Sequence, residues 1–245
     1  MKILGIIPAR YGSTRFPAKA LADIGGKTMV RRVYEQAKKA SMLSEVVVAT
    51  DHEAIYEEII SFGGEVVMTS EDHQSGTDRC YEALQQQGST YDYVINIQGD
   101  EPFIAPEQIN LVAEMLDGET QLGTLIKKID SSEDVFNPNV VKVIFNNTKQ
   151  AIYFSRTPLP YNRNHEKDDW LNQHSYYRHI GIYAYRTDVL EQITQLGVSS
   201  LEKAESLEQL RWIENGYAIQ VAETSYDSIG IDTPEDLEKL KPFLS

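Results

Sequence analysis

The sequence predicts an α/β fold, a mostly parallel sheet flanked by helices, and two observations carry that prediction. Short β-branched apolar runs recur through the first half of the chain, and amphipathic stretches of helical period lie between them. Strands and helices alternating at this spacing close through right-handed crossovers, which puts helices on both faces of a sheet. Ile3–Ile7, Val46–Thr50, Val66–Thr69 and Tyr93–Ile97 read as the strands, each too short for a helix and apolar enough for burial on both faces. Met29, Val30, Val33, Tyr34 and Ala37 share one helical face, and Ile55, Ile59 and Phe62 repeat the pattern. Ile109, Val112 and Leu116 follow Pro106, a residue suited to a first helical turn.

The second half changes character. Val140–Phe145 and Ala151–Phe154, separated by Asn146-Asn147, predict a hairpin. The polar segment Tyr161–Ser175, with His165, Glu166 and Lys167, reads as a mobile loop. His179–Arg186 is again a strand. Helices follow over Asp188–Gln195 and Leu201–Glu214, and Asp232-Thr-Pro-Glu-Asp-Leu opens a last one. No repeat, low-complexity tract or clean linker divides the chain. The expectation is one domain over residues 1–245, with a β-rich lobe for sugar binding and dimerisation near residues 123–200.

Charge narrows the function classes. Acidic residues number 37 against 23 basic ones, a net charge of −14. A protein that grips duplex nucleic acid carries a basic footprint, and an anionic membrane surface attracts basic segments, so neither partner is expected. One cysteine, Cys80, rules out a disulfide framework and a thiolate metal cluster. No apolar run approaches the roughly 20 residues that cross a bilayer, and no leader precedes Met-Lys-Ile-Leu, so a cytoplasmic location is expected.

Against that acidic background, the loop after the first strand stands out. Pro8-Ala-Arg-Tyr-Gly-Ser-Thr-Arg-Phe-Pro-Ala-Lys joins the small residues Gly12 and Ser13 to the cations Arg10, Arg15 and Lys19. Open α/β sheets bind ligands at the carboxyl ends of their strands. Small residues let backbone N–H groups approach phosphate oxygens, and the cations neutralise them. The loop therefore points to phosphate, with a solvated surface loop as the alternative. It holds neither a P-loop nor a GxGxxG, so a nicotinamide fold is not expected.

Carboxylates come next. Asn96-Ile-Gln-Gly-Asp-Glu-Pro sets Asp100 just past a strand, where it suits a Mg²⁺ ion that completes its shell with phosphate and water. A plain Gly-Asp turn fits as well. Asp232 offers a second ligand, although Asp-Thr-Pro-Glu is also an ordinary helix start. His73-Gln-Ser-Gly-Thr-Asp-Arg opens a helix whose first turn, at Ser75 and Gly76, can receive an anion, with Arg79 as a forked donor; a capped helix with a surface arginine fits equally. Strand alternation places His179, Gly181, Tyr183 and Tyr185 on one face, fit for a polyhydroxylated ligand or a packing surface. Glu202, Glu205, Gln209 and Trp212 form one helical stripe, and Arg156 follows a strand where it can meet a carboxylate.

In order, Pro8-Ala-Arg, Ser13-Thr-Arg, Lys19, His73-Gln-Ser-Gly-Thr-Asp-Arg, Ile97-Gln-Gly-Asp-Glu-Pro, Tyr153-Phe-Ser-Arg, Tyr177-Arg-His-Ile-Gly-Ile-Tyr, Leu207-Glu-Gln-Leu-Arg and Gly230-Ile-Asp-Thr-Pro-Glu-Asp-Leu form a series. It resembles the 3-deoxy-manno-octulosonate (KDO) cytidylyltransferases, or CMP-KDO synthetases, over essentially the whole length. The opening loop and the Gln-Gly-Asp-Glu-Pro turn are shared loosely with other nucleotidyltransferases, whereas the Tyr-Arg-His-Ile-Gly-Ile-Tyr strand and Leu-Glu-Gln-Leu-Arg helix are more specific. The resemblance implies a nucleotide-diphospho-sugar transferase fold, usually dimeric, acting in lipopolysaccharide precursor synthesis.

It also implies the reaction CTP + KDO → CMP-KDO + pyrophosphate, with Mg²⁺ and no organic cofactor. By the same resemblance Arg10, Ser13, Arg15 and Lys19 hold the triphosphate beside Ser75 and Gly76, and Asp100 and Asp232 carry the metal. Gln98 lies between base and sugar, and Arg79, Arg156, His179, Tyr183, Tyr185, Glu208 and Gln209 line the sugar pocket. The family opening more often has glycine where this chain has Ala18. Rival expectations are a cytidylyltransferase for 8-amino-KDO or sialic acid, and a catalytically idle nucleotide-binding protein on the same fold.

Overall fold

Ile3, Leu4, Ile6 and Ile7 are almost wholly buried, and they make Ile3–Ala9 the central strand, β1, of a parallel sheet. The structure, a computed structural model, describes residues 1–12, 16–227 and 229–240. It divides into two compact units, the first formed by Met1–Ala113 together with the stretch from Asp227, the second by Glu114–Tyr226.

In the first unit, β1 is followed by α1 (Met29–Ala37), β2 (Glu45–Thr50), α2 (Glu53–Ser61), β3 (Val66–Met68), α3 (Gly76–Gln85), β4 (Tyr93–Asn96) and α4 (Pro106–Glu114). The strands lie in the order β3-β2-β1-β4, every neighbouring pair parallel. This is the helix-flanked parallel sheet that the sequence predicts. Register fixes where the site falls. Ala9 pairs with Thr50 and Ile6 with Asn96, so the loops leaving β1, β2 and β4 emerge at one edge. Two helices that start near that edge are capped by side chains: His52 Nδ1 accepts the Ala54 N–H at 3.1 Å at α2, and Ser75 Oγ accepts the Asp78 N–H at 3.1 Å at α3.

In the second unit the order is β5 (Leu122–Lys128), α5 (Ser132–Phe136), β6 (Lys142–Phe145), β7 (Ala151–Ser155), α6 (Trp170–Gln173), β8 (Tyr177–Arg186), α7 (Thr187–Thr194), α8 (Ser200–Glu205), α9 (Gln209–Glu214) and β9 (Ile219–Glu223). β5 runs antiparallel to β8 and parallel to β9, while β6 pairs antiparallel with β7 and reaches β8 through Lys142 and Arg178. The last helix, α10 (Pro234–Leu240), belongs to the first unit, where Ile231 and Leu237 pack with Ile24, Met29, Phe16 and Phe103.

Two expectations change here. The predicted helix over Leu201–Glu214 is two helices, because Ser206 takes a left-handed backbone (φ 52°) that ends α8. The Glu202 carboxylate then grips the Arg211 guanidinium at 2.6 Å and 2.7 Å, closing the corner. The predicted loop over Tyr161–Ser175 contains a 3-10 turn and α6, anchored by Trp170, which is buried among Ile129, Val135 and Tyr176. A lone tryptophan in a polar segment is an anchor, and its charged neighbours outweighed it in the sequence reading. Among the described residues no helix is long and apolar enough to cross a membrane.

Candidate active site

At the carboxyl edge of the first unit's sheet, a cavity of about 300 Å³ is lined by Arg10, Lys19, His73, Ser75, Gly76, Arg79, Gln98, Asp100 and Asp232, among others. Ser13 and Arg15 lie outside the described residues. Local structure explains how the rest converge. Gly99 must be glycine, since a Cβ there would lie 2.7 Å from the Pro8 carbonyl oxygen. That close approach sets the turn after β4 against the end of β1. The Ile231 N–H donates to the Asp100 carbonyl at 2.9 Å, which brings the Asp232 segment alongside.

The two carboxylates then meet one ammonium. Lys19 Nζ lies 2.8 Å from Asp100 Oδ2 and 3.2 Å from Asp232 Oδ1, with the lysine side chain only 18% exposed. The Asp236 carboxylate accepts the N–H groups of Asp232 and Thr233 at 3.1 and 3.0 Å, leaving the Asp232 carboxylate to face Lys19. Two carboxylates sharing one ammonium carry more negative charge than it can balance. A hard cation that takes one or two carboxylates and fills its shell with phosphate oxygens fits this donor set. Among the described residues no group of three or more His, Cys, Asp or Glu side chains is gathered for a metal.

Arg79 is held from behind. Its guanidinium donates to Asp51 Oδ2 at 2.9 Å and to Thr69 Oγ1 at 2.5 Å, and the residue is 3% exposed. Asp51 also accepts the Tyr11 N–H at 3.0 Å, and the Tyr11 ring stacks on His52 at 3.7 Å. Asp51 thus ties the opening loop to α3. Sequence reading missed it, although its place directly after β2, at the ligand-binding edge, is the signal that marks it. His73 lies against the Glu82 carboxylate. Burial alone would raise that carboxyl, but the Ser70 N–H and the His73 ring hold it below the ordinary range.

The second unit gathers a different set. His179, Tyr183, Tyr185 and Trp212 form a run of rings with centroids 5.1 Å (His179–Tyr183), 6.1 Å (Tyr183–Tyr185) and 5.1 Å (Tyr183–Trp212) apart. The alternation predicted for β8 is interrupted, since Leu125 pairs with Ile180 and Thr124 with Tyr183. Two extra residues preserve parity, so His179 and Tyr183 stay on one face. The Thr124 hydroxyl donates to the Ile182 carbonyl at 2.7 Å and lies 3.0 Å from His179 Nε2. Burial pushes the His179 imidazole down to about 3, although part of the residue still reaches solvent. Burial, then Tyr185 and Glu208, raises the Tyr183 phenol well above its usual range. Among the described residues the Tyr183 hydroxyl and the Trp212 indole N–H, both buried, have no hydrogen-bond partner, which in a native structure calls for an explanation. Gln209 is buried at the start of α9.

Arg156 follows β7 directly in the same unit. Its Nε donates to the Glu205 carbonyl at 2.7 Å, Nη1 to Pro138 O at 3.1 Å and Nη2 to Ser206 O at 3.3 Å. These use three of its five N–H groups and leave one on each terminal nitrogen. The Glu205 carboxylate accepts the Ser155 hydroxyl at 2.6 Å and the Arg156 N–H at 2.9 Å.

A family model described as cytidylyltransferase matches residues 4–224. The chain belongs to the cytidylyltransferase family. A 3-deoxy-manno-octulosonate cytidylyltransferase of Parabacteroides distasonis is 56% identical to it over 100% of this chain and 99% of the relative. That of Bacteroides thetaiotaomicron is 56% identical, covering 100% and 98%. Among solved structures, a CMP:2-keto-3-deoxy-manno-octonic acid synthetase complexed with CTP superposes with a TM-score of 0.92 at 42% identity, covering 100% of this chain and 98% of the other. A glucose-1-phosphate thymidylyltransferase of Bacillus anthracis, at 19% identity and a TM-score of 0.65, shares the fold alone. In the opening loop, Lys19 is preceded directly by Ala18. That residue sits in the left-handed region, φ 54° and ψ 29°, where glycine is unstrained.

Proposed function

We propose that the protein transfers a cytidylyl group from CTP to KDO and releases pyrophosphate, supplying an activated sugar for lipopolysaccharide. The observation that carries this reading is the convergence of Lys19, Asp100 and Asp232 in one cavity with Arg10, Ser75 and Gly76. The names of the full-length relatives support KDO as the sugar and CTP as the nucleotide.

In this reading the anomeric hydroxyl of KDO attacks the α-phosphorus as the bond to pyrophosphate breaks. Positioning and charge neutralisation are the protein's main tasks. Mg²⁺, held by Asp100 and Asp232, would supply charge neutralisation between the anionic sugar and the triphosphate. Lys19 and Arg10 offer N–H donors to phosphate oxygens, and Ser75 and Gly76 present the first turn of α3. Arg156 offers its remaining N–H groups to the sugar carboxylate. His179, neutral in this setting, acts as a hydrogen-bonding group, and the Tyr183 hydroxyl and Trp212 N–H gain partners from sugar hydroxyls. Arg79 and Gln98 line the same cavity as Arg10, Lys19, Ser75 and Gly76, where Arg79 would reach the sugar and Gln98 would lie between base and sugar. The enzyme works in the reducing cytoplasm as a homodimer.

The test is pyrophosphate release with CTP and Mg²⁺ against KDO, 8-amino-KDO and sialic acid, repeated with UTP. Turnover with CTP and KDO alone is expected. Turnover with another acid would overturn the sugar assignment, and CTP binding with no release from any acid would point to the idle binding protein.

A further inference from the structure

Lys142 is 0% exposed, and the reaction as described makes no use of it. Removing an ammonium from water is expensive, and an apolar side chain of the same shape would fill the slot at lower cost. Its contacts show what the charge does. Lys142 Nζ donates to the Asn137 carbonyl at 2.8 Å and to the Val140 carbonyl at 2.5 Å, gathering residues 137–141 around itself as a strap between α5 and β6. The remaining carbonyls of that strap do separate work. Pro138 O receives Arg156 Nη1 at 3.1 Å, and Val141 O receives the His179 backbone N–H at 2.9 Å. One buried ammonium therefore fixes a loop that seats two residues assigned to the sugar acid.

We propose that Lys142 is a positioning residue for sugar-acid recognition, holding the 137–141 strap so that Arg156 and His179 keep their places. The inference rests on the KDO reading above. Burial draws the Lys142 ammonium below the usual lysine range while Glu205 opposes that shift, and the two carbonyl acceptors keep the charge in place. Lys142, Arg156, His179 and Glu205 all belong to the second unit, whereas the phosphate-binding residues belong to the first. The consequence is selective: loosening the strap degrades use of the sugar and spares use of CTP.

The experiment is steady-state kinetics of K142M with each substrate varied in turn, beside the wild-type enzyme. The KM for KDO is expected to rise about tenfold or more, as small misplacements of binding groups do, while the KM for CTP stays within about twofold. K142A supplemented with ethylammonium, which refills the slot with a cation, should recover part of the KDO KM, and ethanol should not. Pro138 is exposed, so P138G frees the same strap without disturbing a buried charge and should raise the KDO KM in the same direction. If K142M does not fold, P138G decides alone. An unchanged KDO KM in P138G and in folded K142M, or an equal rise for both substrates, overturns the proposal. Failure of the wild-type enzyme to use KDO would instead overturn the KDO reading.

Discussion

The first unit's cavity and the second unit's ring cluster are built by opposite means. The cavity is a concentration of charge, with Lys19 between Asp100 and Asp232 and Arg79 braced on Asp51, at loops that leave one edge of a parallel sheet. The cluster is a concentration of rings, in which burial keeps His179 neutral and the Tyr183 hydroxyl and Trp212 N–H have no partner among the described residues. Charge on loop ends suits an anion whose charge grows and shifts during reaction. Enclosed neutral donors suit a hydroxyl-rich ligand recognised by shape and hydrogen bonds. The contrast teaches that activity should be most sensitive to changes in the first unit, and pH-dependent stability to changes in the second.

The largest expected effect tests the first half of that contrast. D100N and D232N should each lower kcat by about 100-fold or more, the loss typical of removing one preorganised electrostatic group. Their stability should not fall, because either change leaves a single carboxylate to pair with the Lys19 ammonium and relieves repulsion between two like charges. Pyrophosphate release and thermal melts measured on the same samples check both statements. Variants that lose stability in step with activity would erase the distinction between the two regions.

A smaller effect tests the second half. The unfolded chain protonates His179 near pH 6.5, whereas the folded chain holds it neutral down to about 3. Below pH 6.5 the unfolded state binds a proton that the folded state refuses, so stability falls as pH drops from 6.5 toward 3 and is flat above 6.5. Between pH 7.5 and 5 the wild-type protein should lose about 1–2 kcal/mol more than H179Q in urea titrations, the lower figure allowing for solvent that reaches the ring. Parallel pH curves for the two proteins would mean that the imidazole is protonated in place.

The same contrast governs what the sequence made legible. Strands β1, β2 and β4 and the motifs at their ends could be read because a parallel sheet writes continuous apolar runs and places its ligand groups directly after them. The convergence of Asp100 and Asp232 on Lys19 could be listed only as candidates, since it depends on the Ile231–Asp100 backbone bond between distant segments. In the second unit, two features escape the period, one in β8, which keeps its predicted faces, and one that breaks a predicted helix. The extra residues in β8 and the left-handed Ser206 between α8 and α9 leave no mark in hydrophobic spacing. Lys142 was invisible for a related reason: a lysine in a strand reads as surface, and only the Asn137 and Val140 carbonyls show why it is buried.

The smallest expected effect lies in the backbone of the charged region itself. Ala18 precedes Lys19 and holds φ 54°, a left-handed conformation whose N–H donates to the Tyr11 carbonyl at 3.2 Å. For alanine that conformation costs about 1–2 kcal/mol, while glycine adopts it freely but loses about 0.5–1 kcal/mol more entropy on folding. The difference favours A18G by about 0–1.5 kcal/mol, and in a protein of 245 residues each 1 kcal/mol corresponds to a Tm higher by about 2–4 °C. Activity should hold, because the substitution keeps the conformation that presents Lys19. A lower Tm would mean that the Ala18 methyl group makes contacts worth more than the strain. A higher Tm with reduced kcat would mean that the strain itself holds Lys19 in place, making the backbone part of the charged site rather than merely its support.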